Sequence, residues 1–152
     1  MLLKLHDYNF DFDRDLFAFI RNGIIIDTSV LKTIIDGIVF TRLSKKEFSD
    51  LREIEDFLDY IKMKNRWSKF FITSQVLAET CNHLRNDYSK TPRYIEIINQ
   101  IVPIFAEMSD KIVKKEDIIQ LIDLKNPVLE IGDISIFVVA DVSKENDVKT
   151  LI

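Results

Sequence analysis

Apolar residues fall along this chain in two distinct rhythms, and the alternation between them is the first readable signal. Gly23-Ile24-Ile25-Ile26-Asp27 is a short unbroken run of β-branched residues, the pattern of a strand buried on both faces. Thr28 and Ser29 follow at once and suit the N-cap of a helix beginning near Val30. From Ser44 to about Met63, the positions Phe48, Leu51, Ile54, Phe57, Leu58 and Ile61 recur at spacings of three and four, one face of an amphipathic helix. Phe70-Phe71-Ile72-Thr73 reads as a second strand, with Ser74 capping a helix in which Val76, Leu77, Thr80, Cys81 and Leu84 share a side. Tyr94, Ile97, Ile98, Ile101, Phe105 and Met108 mark a further helix, with Pro103 a kink within it. Lys111-Ile112-Val113 reads as a short strand, Glu116 and Asp117 open a helix through Ile122, and Val148 to Ile152 reads as a last strand.

Short buried strands separated by helices predict an α/β fold, a parallel sheet covered on both faces. One stretch resists this reading. Ile134-Ser135-Ile136-Phe137-Val138-Val139-Ala140 is rich in β-branched residues, and periodicity alone permits a strand as readily as a helix. The first 22 residues form an acidic, aromatic lead-in, so the expected organisation is an N-terminal extension over 1–22 and one domain over 23–152.

Bulk composition narrows the class. A chain of 152 residues has room for one domain, and one of that size buries roughly 68–70% of its unfolded surface. Three glycines, three prolines and eleven phenylalanines point to a core of large side chains rather than a disordered or turn-rich chain. A single cysteine, Cys81, rules out an internal disulfide and suggests a reducing, cytoplasmic setting. Its apolar neighbours place it in the core. No apolar run approaches the ~20 residues needed to cross a bilayer, and the acidic N-terminus lacks the form of a signal peptide. The expectation is a cytoplasmic protein with no membrane partner. A net charge of −4 gives no global basic footprint, although Lys62, Lys64, Arg66 and Lys69 cluster locally, as do Arg85, Lys90 and Arg93.

Candidate chemistry lies in the acids. In a parallel α/β sheet, ligands bind beyond the carboxyl ends of the strands. Asp27 closes the first strand, Glu79 lies one to two turns along the helix leaving the second, and Asp133 opens the ambiguous segment. Two carboxylates about 4 Å apart repel by roughly 4 kcal/mol at an effective dielectric near 20. A hard divalent ion such as Mg²⁺ or Mn²⁺ relieves that repulsion and supports phosphodiester hydrolysis. Each acid also has a plainer reading, Asp27 and Asp133 as helix caps and Glu79 as an ordinary helical residue. Glu79 and His83 have a metal-compatible spacing of four, but a solvated histidine explains it. Asp11 to Asp15 lacks the glycine and the closing glutamate of a calcium loop. A receiver-like signalling site requires two adjacent acids after the first strand, where Ile26-Asp27 offers one.

The runs IIIDTSVL (24–31), FITSQVLAETCNHL (71–84) and EIGDISIFVVA (130–140) resemble, in order and spacing, the motifs of PIN-domain nucleases, a family that includes the VapC-type toxin ribonucleases. The resemblance covers about residues 23 to 152. It implies a three-layer α/β/α PIN-like domain with a short central parallel sheet of four to five strands, and a helix after Asp133. It implies Asp27, Glu79 and Asp133 as catalytic residues and ligands of Mg²⁺ or Mn²⁺, with Ser29 and Thr28 as substrate-binding hydroxyls. The implied activity is a metal-dependent endoribonuclease, the toxin of a toxin–antitoxin pair, with RNA as substrate, a small antitoxin as partner and a homodimer as assembly. The rival expectation is a non-catalytic PIN-like module that binds RNA or protein. The family pattern also has a fourth polar residue after its last strand, and Asp141, about 12 Å along a helix from Asp133, is too far to supply it.

Overall fold

The structure, a computed structural model, describes residues 2–5, 8–11, 16–18, 20–43, 49–122 and 130–145. Two strands, β1 (Leu2–Leu5) and β2 (Tyr8–Asp11), pair antiparallel with Leu2 opposite Asp11 and Leu5 opposite Tyr8. Shortly after them, Leu16 and Ile20 are buried in the main apolar core.

The centre is a three-stranded parallel sheet of β3 (Ile24–Ile25), β4 (Phe70–Thr73) and β5 (Ser109–Lys111), in that order across the sheet. Ile24 stands beside Phe70, and Thr73 beside Lys111. Helix α1 (Thr28–Ile38) leaves β3 and runs into a π-helical turn over Val39–Leu43. Helix α2 (Ser49–Tyr60) follows, then a 3₁₀ turn at Trp67–Lys69 leads into β4. Helices α3 (Ser74–Tyr88) and α4 (Tyr94–Glu107) join β4 to β5, and α5 (Lys115–Leu121) and α6 (Ile131–Glu145) come last. The molecule is thus α/β, mostly helical around a small parallel sheet. The strand expected over 148–152 lies outside the described residues.

Both residues of β3 are buried, although β3 is an edge strand of the described sheet. That burial explains a run of three isoleucines without polar alternation. Gly23 makes the entry to this strand possible. Its φ is +104°, a conformation L side chains rarely adopt, and a Cβ there would overlap the Phe71 ring and stand 3.0 Å from the Lys69 carbonyl.

The ambiguous segment is helix α6. Ile134, Ile136, Val138 and Val139 are all buried, so this helix is apolar around most of its circumference because it sits between neighbours. It packs on α3, α5 and β4. Burial contributes roughly 1.5–3 kcal/mol per large apolar side chain. That outweighs a helix-propensity penalty of about 0.5 kcal/mol per β-branched residue.

Other boundaries moved for local reasons. The cap of α1 is Asp27, whose carboxylate accepts from Thr28 and Ser29 N–H, rather than Thr28 or Ser29 themselves. The cap of α3 is Thr73, whose hydroxyl accepts from Val76 N–H, rather than Ser74. β5 begins two residues before the expected strand, leaving Ile112 outside it at 91% exposure while Val113 turns inward. Cys81 is exposed rather than core, because the buried stripe of α3 is Val76, Thr80 and Leu84, and Cys81 falls beside that stripe. Away from the sheet, Tyr88 on α3 donates its phenol to Asp36 on α1, and Asp36 also pairs with Lys32 at 2.9 Å. Burial and the Asp36 carboxylate push the Tyr88 phenol above its usual pKa.

Candidate functional site at the carboxyl edge of the sheet

The carboxyl ends of β3 and β4 each lead directly into a helix, so the N-termini of α1 and α3 stand at one edge of the sheet. Helix N-termini carry partial positive charge. Acids gather at this edge.

Asp27 is fixed by its own helix. Oδ1 accepts from Thr28 N–H at 2.6 Å, while Oδ2 accepts from Ser29 N–H at 3.4 Å and from the Ser29 hydroxyl at 2.5 Å. Asp133 is the third residue after Glu130, and its Oδ2 accepts from the Glu130 N–H at 3.3 Å. This is one half of a capping box at the start of α6. Glu79 caps no helix of its own and instead spans the gap between the other two elements. Its Oε2 accepts from the Thr28 hydroxyl at 2.8 Å, and its Oε1 accepts from the Gly132 N–H at 3.2 Å. Each bond joins Glu79 to the residue next to one of the other acids.

The three expected acids are therefore neighbours within one hydrogen-bonded assembly drawn from α1, α3 and α6. They do not form a direct ligand set: among the described residues, no three His, Cys, Asp or Glu side chains are arranged to hold one metal ion. Backbone and hydroxyl donors instead bond both oxygens of Asp27 and of Glu79 and one oxygen of Asp133. The two expected substrate-binding hydroxyls have partners too, Thr28 donating to Glu79 and Ser29 to Asp27.

Sequence reasoning missed the residues that hold this assembly together. Gly132 is one: a Cβ on it would collide with Glu79 Oε2 and stand 2.9 Å from Cδ, so only glycine lets the carboxylate approach the α6 backbone this closely. Thr73 and Ser135 are two more, their hydroxyls 2.7 Å apart and both fully buried. The G in EIGDIS and the hydroxyl six residues before Glu79 were the available signals.

The basic cluster noted in the sequence lies away from these acids. Lys69 immediately precedes β4, so the cluster from Lys62 to Lys69 leads into the amino end of that strand. The site lies past the carboxyl end, about 13 Å away at ~3.3 Å per residue. Among the described residues, Lys111 ends β5 beside Thr73 in the parallel register, and Lys114 and Lys115 follow it. Lys111 Nζ also lies 4.2 Å from the centre of the Phe71 ring, a cation–π contact.

Compared with protein-family models, with curated proteins and with solved structures, the chain finds no match. Among the described residues, no helix is long and apolar enough to cross a membrane.

Proposed function

We propose that the carboxyl edge is the active site of a Mg²⁺- or Mn²⁺-dependent endoribonuclease, built on a three-layer α/β/α PIN-like domain with four to five strands. The observation that carries this reading is Glu79, whose two oxygens reach the residues flanking Asp27 and Asp133 and so draw three acids from three separate segments together. The donor set is all oxygen, which fits a hard divalent ion that keeps several of its waters. Asp27, Glu79 and Asp133 would hold it; once bound, such an ion supplies charge neutralisation at a phosphate and a more acidic water.

The chain's own residues set the terms. Asp133 holds the Glu130 N–H through a 3.3 Å bond, whereas Asp27 holds Thr28 N–H at 2.6 Å. Asp133 is the cheaper acid to redirect, at a cost of about 0.5–1.5 kcal/mol for one hydrogen bond. Thr28 fixes one oxygen of Glu79 and Ser29 steadies Asp27, which keeps both carboxylates aimed at the edge. Lys114 and Lys115, which follow β5, supply cations on the side where an RNA backbone would lie. A cytoplasmic toxin with a small antitoxin partner and a homodimeric assembly complete this reading.

A second reading is a non-catalytic PIN-like module that binds RNA or a protein. It is favoured by the occupied carboxylate oxygens and by the lack of a three-acid ligand set among the described residues. Titration with Mn²⁺ and RNA cleavage assays separate the two. The nuclease reading expects Mn²⁺ binding, and loss of both binding and cleavage in Asp27→Asn and Glu79→Gln. Cleavage that persists unchanged in those variants overturns it; RNA binding without Mn²⁺ binding establishes the alternative.

A further inference from the structure

Thr73 is the last residue of β4 and Ser135 lies one turn into α6, 62 positions later in the chain. Their hydroxyls are 1% and 0% exposed at the residue level, so water cannot replace either partner. The direction of each bond follows from counting protons. Ser135 spends its one proton on the Gly132 carbonyl at 2.6 Å. Thr73 must then donate across the 2.7 Å contact to Ser135, while its oxygen accepts from Val76 N–H at 3.2 Å. The result is a directional relay from Val76 N–H through Thr73 and Ser135 to the Gly132 carbonyl. It begins on α3 and ends on the carbonyl of Gly132, the residue whose own N–H donates to Glu79.

We propose that Thr73 and Ser135 are positioning residues, whose buried hydroxyl relay fixes the first turn of α6 against the carboxyl end of β4 and so sets where Gly132 and Asp133 stand relative to Glu79. Gly132 is gripped on both sides, by Ser135 at its carbonyl and by Glu79 at its amide. Glycine has no side chain to hold its own place, and its backbone would otherwise be the least restrained in the turn. A fully satisfied buried polar chain is the kind of contact that selects one register among several. For its catalytic consequence the inference rests on the metal-site reading; for its geometric content it does not.

The test uses the full chain with Ser135→Ala, which removes one oxygen and adds nothing, together with Thr73→Val and Thr73→Ser. The first readout is amide hydrogen exchange at Gly132 by NMR, referenced to Ile97 and Ile101 in α4. Ser135→Ala and Thr73→Val are expected to speed exchange at Gly132 at least tenfold while the α4 amides stay unchanged, and Thr73→Ser to restore it. The second readout is Mn²⁺ affinity and RNA turnover: both hydroxyl-less variants should bind Mn²⁺ at least fivefold more weakly and lower kcat, with KM for RNA retained. Unchanged exchange at Gly132 in Ser135→Ala overturns the proposal. Should Thr73→Val not fold, Ser135→Ala decides alone. In the unmodified chain, hydroxyl protons of Thr73 and Ser135 exchanging at the bulk-water rate would overturn it as well. If the unmodified chain neither binds Mn²⁺ nor cleaves RNA, the nuclease reading fails while the Gly132 readout still decides for or against the relay.

Discussion

The two ends of β3 and β4 are held by opposite kinds of contact. At the amino ends the fit is one of shape: Gly23 lets Phe71 pack against its bare Cα, and Trp67 packs on Phe70 with ring centres 5.3 Å apart. At the carboxyl ends the fit is polar: Asp27, Thr28, Glu79, Gly132, Thr73 and Ser135 are linked by hydrogen bonds across three helices. Packing of the first kind contributes to stability and tolerates no change of volume. Bonds of the second kind contribute little net stability each, about 0.5–1.5 kcal/mol, but they fix directions. The amino end therefore governs whether the chain folds, and the carboxyl end governs where its acids point.

Substitutions can break that division. Gly23→Ala combines an unfavourable φ with overlap on Phe71 and a tight approach to the Lys69 carbonyl; a loss of roughly 2–4 kcal/mol is expected, read as a lower midpoint in urea. Gly132→Ala meets a flexible carboxylate instead of a packed ring. Glu79 swings aside, so about 1–2 kcal/mol of stability is lost while Mn²⁺ affinity falls at least tenfold by calorimetry. Equal destabilisation by the two glycine substitutions would collapse the distinction. Asp27→Ala should cost about 1 kcal/mol through the lost α1 cap, whereas Asp27→Asn keeps a capping oxygen and stays within a few tenths; thermal melts of the pair check this.

Tyr88 lies away from both ends and serves as a control. Its phenol pKa is raised in the fold, first by burial and then by Asp36. A group protonated more tightly when folded contributes stability below its unfolded pKa, near 10, and loses it as pH rises through the higher folded value. Tyr88→Phe should remove about 1 kcal/mol at neutral pH and flatten the alkaline limb of the stability curve, without altering Mn²⁺ binding. The smallest effects are expected from lysines. Lys62→Ala with Lys64→Ala should leave RNA affinity unchanged, whereas Lys114→Ala with Lys115→Ala should weaken it and lower its salt slope by about 0.7 per lysine. The reverse result would move the RNA path to the amino edge.

Legibility followed the range of the forces involved. β4 is where the sequence predicts it over Phe70 to Thr73, because four apolar or β-branched residues between a 3₁₀ turn and a cap leave few options. The alternatives for Ile134 to Ala140 could not be separated locally, since what makes that segment a helix is the set of neighbours that bury Ile134, Ile136, Val138 and Val139. Asp27 as a helix cap was readable from its place between a strand and a helix, but the bridge that Glu79 makes to Thr28 and Gly132 was not. Capping depends on backbone geometry at single residues, and Asp133 reaching back to Glu130 N–H leaves no mark in hydrophobic periodicity. Thr73 and Ser135 were unreadable as a pair because 62 residues separate them.

The exposure of Cys81 has a practical corollary. It is the sole thiol of the chain, and it stands on α3 two residues past Glu79, about 200° around the helix from it. A spin label or fluorophore attached there would ride on the same rigid rod as the bridging carboxylate while facing away from it. The protein thus carries a native attachment point for a reporter, and no cysteine need be introduced or removed to follow α3 while RNA or a divalent ion is added. Desolvation raises the thiol pKa, so the coupling proceeds faster in mildly alkaline buffer than at neutrality.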